Sequence, residues 1–143
     1  MRVEQFTHQI AIDTNGKGLY EFTSAIEMWF RERRIETGLL TVFVRHTSAS
    51  LTIQENADPD VVYDLEKFFS RLVSEDSSLY RHTMEGPDDM PAHIRSALTA
   101  TQLSIPVVSG GLALGTWQGV YLFEHRRQAH RRYVVLHLLG DER

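Results

Sequence analysis

The sequence predicts an α+β domain, with one antiparallel or mixed sheet packed against two main helices. Three observations predict it. Stretches with two-residue alternation occur near both ends of the chain and in its middle. Two stretches of helical period lie between them, without strict βαβ order. At 143 residues the chain fits one domain, here 1–143, and falls short of a TIM barrel, which needs roughly 200 or more.

The elements follow in order. In "VEQFTHQIAI" (3–12), Phe6, His8, Ile10 and Ile12 alternate with polar residues, as in a half-buried strand. "DTNGKG" reads as a turn. From Leu19 to Arg34, Phe22, Ile26, Trp29 and Phe30 share a helical face, and Gly38 is placed to cap that helix. "LLTVFVRH" (39–46) and "SLTIQE" (50–55) read as two strands joined in a hairpin through "TSA". Asp58 and Pro59 open a second helix, with Val62, Leu65, Phe68, Phe69 and Leu72 along one face. A long connection, Ser74 to Asp89, precedes a short helix in "PAHIRSALTA" with Asp89 or Met90 near its cap. "QLSIPVV", "TWQGVYLFEHR" and "RYVVLHLL" complete the strands.

Composition narrows the function. Net charge is −4, against the basic face that nucleic-acid binding usually needs. The chain has no cysteine, which excludes disulfides, thiolate metal sites and cysteine nucleophiles. The N-terminus lacks the apolar core of a signal peptide, and no apolar run approaches the roughly 18 residues of a membrane span. A soluble cytoplasmic protein, free of nucleic acid and membrane, is the expectation.

Four features carry chemistry. His46 ends an apolar strand, and His82 and His93 flank the acidic loop "EGPDD". Each alone is most simply a satisfied histidine. Converging, the three would suit zinc or a similar ion. Among the carboxylates, Asp58 is simplest as a helix cap. Glu55 follows Leu51 and Ile53 at period two, and Glu124 follows Val120 and Leu122, so both point at the core. Burial would raise their pKa into a useful range for acid–base work. In "GTWQ", Thr116 and Gln118 can donate to phosphate or a heterocycle, and Trp117 can stack, although packing is its simpler reading. "HRRQAHRR" (125–132) is simplest as a solvated hairpin tip.

Three segments, "HTSASLTIQENADP" (46–59), "HTMEGPDDMPAHI" (82–94) and "LALGTWQGVYLFEHR" (112–126), closely resemble the signatures of the YjbQ-like family, often described as secondary thiamine-phosphate synthase, with many members uncharacterised. The resemblance spans nearly the whole chain. It implies a compact α+β fold, a homotrimer, and polar residues gathered in clefts between subunits. The implied reaction joins an aminopyrimidine methyl diphosphate to a thiazole phosphate. In that reading Arg126 and the amides near Gly115–Thr116 hold phosphate, and Trp117 stacks on the pyrimidine. Glu55 or Glu124 contacts its amino edge, and Gln118 and Asn56 line the substrate. Either magnesium on Asp88 and Asp89 assists diphosphate departure, or thiamine chemistry is a side activity of a site built for something else. Two alternatives stand beside it. One is a zinc-dependent hydrolase with Glu55 as base, and the other a trimer that binds a metabolite or metal without turnover.

Overall fold

The computed structural model describes residues 2–143. Eight strands form two antiparallel sheets, not one, with three helices around them. The larger sheet has the order β1 (Val3–Asn15), β8 (Ala129–Glu142), β3 (Ile35–Val44), β5 (Gln102–Val108) and β6 (Gly111–Leu112). The smaller has β7 (Gln118–Glu124) between β2 (Gly18–Glu21) and β4 (Ala49–Glu55). Alternation along β1, β3 and β8 sends one side chain in two inward, as a sheet with one solvated face requires. Leu40, Val42, Leu136 and Leu138 of the larger sheet meet Leu51, Val120 and Leu122 of the smaller in one core. Helix α1 (Thr23–Arg31) adds Ile26, Trp29 and Phe30 to it.

Several local expectations are corrected. Leu19–Glu21 is strand β2 paired with β7, so the first helix starts only at Thr23. Gly38 does not cap that helix. It lies in β3 opposite Gly140, where an added Cβ would sit 2.3 Å from the Leu139 carbonyl, so the two strands can cross only on glycine. Strands β3 and β4 do not form a hairpin. β3 pairs with β5 and β8 while β4 pairs with β7, and Arg45–Ser48 carries the chain from one sheet to the other.

Helix α2 (Pro59–Leu72) starts as expected, with the Asp58 carboxylate accepting from the Asp60 amide. Its apolar face is only half covered, for Phe68 and Leu72 are exposed. The long connection holds one short 3-10 turn, Ser77–Leu79, and leads to α3 (Asp89–Leu98), where Asp88 precedes the first turn without a side-chain capping bond. No helix among the described residues is long and apolar enough to cross a membrane.

Candidate metal centre and its opposite pole

The smaller sheet has two ends, and the polar residues singled out above divide between them. Helix α3 builds the first. Its opening turn exposes little. Asp89 and Ala92 are buried, and the i,i+4 spacing puts His93 on the same face as Asp89. Asp89 Oδ2 lies 2.6 Å from His82 Nε2 and 3.2 Å from His93 Nε2. One ligand atom from each of these three residues falls within 4.8 Å of the others. The buried carboxylate is oriented from behind, because Arg126 Nη1 donates to its Oδ1 at 2.6 Å.

His93 supplies a direct test of whether a cation fits. Its Nδ1 lies 3.0 Å from the Thr47 carbonyl, which can only accept, so Nδ1 carries the proton. In the neutral ring Nε2 then turns a lone pair toward the Asp89 carboxylate. Two acceptors face each other unless a proton or a metal ion lies between them. A histidine held through one nitrogen by a backbone carbonyl, with the other aimed at a carboxylate, has the outer-shell support typical of a metal ligand.

His46 does not join this group. Its Nε2 accepts from the Tyr133 amide at 2.8 Å, which occupies the lone pair a metal would need. Burial, reinforced by the Arg132 guanidinium, holds its pKa below the ordinary value. The group placed so that it could hold an ion is thus His82, Asp89 and His93, and not the three histidines.

The other acidic groups here are also spoken for. Asp88 Oδ2 accepts from Arg126 Nε at 3.0 Å and from the Arg127 amide at 2.9 Å. Arg126 Nη2 donates to the Glu85 carbonyl at 3.0 Å. Arg126 therefore positions the two aspartates and is not free to hold a phosphate. Asp88 and Asp89 grip a guanidinium and do not present a paired magnesium site. For both, burial would raise the carboxyl pKa, but the hydrogen bonds outweigh it: from Arg126 and the Arg127 amide at Asp88, from His82 and charge from Arg126 at Asp89. Both lie below the usual carboxylate range.

Glu124 is buried, as strand parity predicts, yet it is no acid–base group. Arg132 Nε and Nη2 bind it at 2.8 and 2.5 Å, and Thr14 Oγ1 donates to it at 2.6 Å. Burial pushes its pKa up, and the Arg132 and Thr14 hydrogen bonds more than reverse that. Arg132 itself was hidden in the basic cluster, although it precedes Val134, Leu136 and Leu138 in one alternation and is buried with them. His125 was missed too. Arg95 Nε donates to its Nδ1 at 3.1 Å, and its Nε2 meets Ser50 Oγ at 2.9 Å. That contact ties α3 to the end of β7.

The second end holds Glu55, Asn56, Thr116, Trp117 and Gln118. Glu55 pairs with Gln118 at the far end of β4 and β7. Six residue steps separate Ala49 from Glu55, about 20 Å of strand. Within one chain the Trp117 loop cannot stack on a substrate held at His93. Glu55 is exposed despite its parity, because burial fades from Leu51 through Ile53 as the strand leaves the core. It is not a buried acid, and within one chain it cannot serve as a base for the histidine cluster. Trp117 is 62% exposed, so packing does not account for it either.

A sequence profile described as "UPF0047 protein YjbQ-like" matches residues 8–141. The chain belongs to the YjbQ-like UPF0047 family. Among its relatives, a UPF0047 protein of Synechocystis sp. is 59% identical over 132 residues, covering 92% of this chain and 90% of its own. The UPF0047 protein YjbQ of Escherichia coli O157:H7 is 47% identical over 108 residues, 76% and 78% of the two chains. A solved structure of a YjbQ/UPF0047 protein from Clostridium acetobutylicum matches with a TM-score of 0.82 at 31% identity, over 90% of this chain and 97% of that one. A YbjQ-like protein of unknown function from Sulfolobus solfataricus shares the fold at a TM-score of 0.89 and 20% identity, over 98% and 100%. Membership of the YjbQ-like family fixes the fold and leaves the chemistry to the residues.

Proposed function

We propose that this YjbQ-like chain is a metal-dependent enzyme acting on a small phosphorylated metabolite at the His82–Asp89–His93 end. The observation that carries the reading is His93, tied through Nδ1 to the Thr47 carbonyl, with its Nε2 turned toward the buried Asp89 carboxylate. Two imidazoles and one carboxylate suit zinc or a similar transition ion better than magnesium, which prefers oxygen ligands. A divalent ion there would act as a Lewis acid on a phosphoryl oxygen. The chain's own groups hold the ligands still: Thr47 fixes the ring of His93, and Arg126 fixes Asp89.

Thiamine-phosphate formation, the reaction the resemblance implies, suits such a site. The thiazole nitrogen attacks the pyrimidine's methylene carbon, the C–N bond forms as the C–O bond breaks, and diphosphate departs with its charge. A homotrimer and a cytoplasmic setting belong to the same proposal. Leu39, Phe43 and Leu139 are exposed on the outer face of the larger sheet, and covering them against further copies supports the trimer.

One observation favours hydrolysis as a second reading. The exposed carboxylate of Glu85 lies 4.0 Å from His82 Nε2, where it could take a proton from an attacking water. It replaces Glu55 in that role. The test is thiamine-phosphate formation by chelator-stripped protein resupplied with zinc or magnesium, beside His93→Ala. Zinc-restored turnover that His93→Ala abolishes supports the synthase. Turnover indifferent to His93 refutes it, and zinc-dependent phosphate release from a single ester that Glu85→Gln abolishes supports the hydrolase.

A further inference from the structure

The Trp117 end carries a site of its own. A cavity of about 340 Å³ opens there, lined by Ile53, Glu55, Thr116, Trp117 and Gln118 with Gln54 and Gly115. The loop that frames it is fixed. The Gln118 side chain accepts from the Gly115 amide at 2.7 Å, the Gln118 amide donates back to the Gly115 carbonyl at 3.1 Å, and the Asn56 amide donates to the Trp117 carbonyl at 2.9 Å. An ordered backbone thus presents a 62% exposed indole, an arrangement that burial energy alone disfavours.

Charge at this end has one sign. Glu55 is the only charged residue among those lining the cavity. Behind it the Glu21 carboxylate accepts from Asn56 Nδ2 at 3.0 Å and lies across Gly119, where a Cβ would stand 2.5 Å from its Oε2. The Tyr121 hydroxyl donates to the Glu55 carbonyl at 3.2 Å. Burial first, then the negative charge of Glu21 and Glu55, push its pKa up. The Glu55 carboxylate accepts from the Asp58 amide at 3.3 Å, and among the described residues neither it nor Glu21 has a cationic partner. An exposed indole beside such carboxylates attracts an organic cation, since the ring face and the carboxylate both favour positive charge.

We infer that the Trp117–Glu55 cavity binds a planar organic cation, stacked on the indole with its charge toward Glu55. The site needs no metal and stands apart from the His82–Asp89–His93 reading. Its ligand is opposite in charge to the phosphates proposed for the other end.

The test is tryptophan fluorescence on metal-stripped full-length protein. The probes are 1-methylnicotinamide, a planar cation, and nicotinamide, its uncharged counterpart. Trp29 is buried, so accessible quenching reports Trp117. The expected result is saturable quenching by the cation at least about tenfold tighter than by nicotinamide, the ratio expected of a cation–π contact reinforced by one carboxylate. Glu55→Gln, which leaves the indole in place, should remove most of that preference, and Trp117→Ala should remove the signal. Equal affinity for the two probes, a preference that survives Glu55→Gln, or no saturable quenching by either would overturn the inference. The last is the outcome expected if another copy of the chain covers the indole.

Discussion

The two ends of the three-stranded sheet solve opposite problems. At the Glu124 end, charges are buried and matched: Arg132 with Glu124, Arg126 with Asp88 and Asp89. At the Glu55 end, the carboxylate and the indole stay open to solvent. The same two strands, β4 and β7, supply both. Where they run beneath α3 and the Arg45–Ser48 crossover, charge can persist only if paired. Where they emerge, Glu55 accepts only from the Asp58 amide, at 3.3 Å, and stays exposed. The first end holds fixed groups in fixed places, and the second leaves its carboxylate and indole open.

Breaking the first end should therefore cost stability, and breaking the second should not. The largest effect is expected at Arg132. Arg132→Met leaves Glu124 buried without its partner, and chemical denaturation should show a loss of about 3–5 kcal/mol. A loss like that of an ordinary surface substitution would mean the pair is dispensable.

A smaller effect follows from pH. Burial, with Arg95 and Arg132 nearby, pushes the His125 imidazole down to about 2 from its ordinary 6.5. The folded state therefore keeps His125 neutral while the unfolded chain takes up a proton below pH 6.5. This contribution is complete above that pH and declines as pH falls, by about 2 kcal/mol at pH 5. Denaturant midpoints at pH 7 and 5 should differ in that direction. The difference should shrink in His125→Gln, and an unchanged slope would place the titration elsewhere.

The smallest effect sharpens the comparison. Arg126→Gln should weaken zinc binding about 10–100-fold by releasing Asp89 from its outer support. Trp117→Ala should leave zinc affinity unchanged and stability within about 0.5 kcal/mol. Isothermal titration calorimetry on both variants reads the contrast.

Much of the fold was legible because alternation and capping are local. The β5 segment and the Asp58–Pro59 helix start lie where their patterns place them. What escaped depends on partners distant in sequence. Three-residue spacing cannot tell that Leu19–Glu21 will pair with β7, or that residues after His46 will change sheets. Composition marked the acidic loop as unusual, and only the family resemblance made it one wall of a cleft. The structure gathers Asp89, not His46, with His82 and His93, because the His46 lone pair is already taken by the Tyr133 amide. Parity placed Glu124 inside correctly, and the same parity would have placed Arg132 beside it.

Anomalous diffraction from a zinc-soaked crystal tests the central claim most directly. The account predicts one ion per chain, bound by His82 Nε2, His93 Nε2 and Asp89 Oδ2, with His46 still accepting from the Tyr133 amide. An ion ligated by His46, or a soaked crystal in which Asp89 and His93 remain in direct contact with no ion between them, would contradict it.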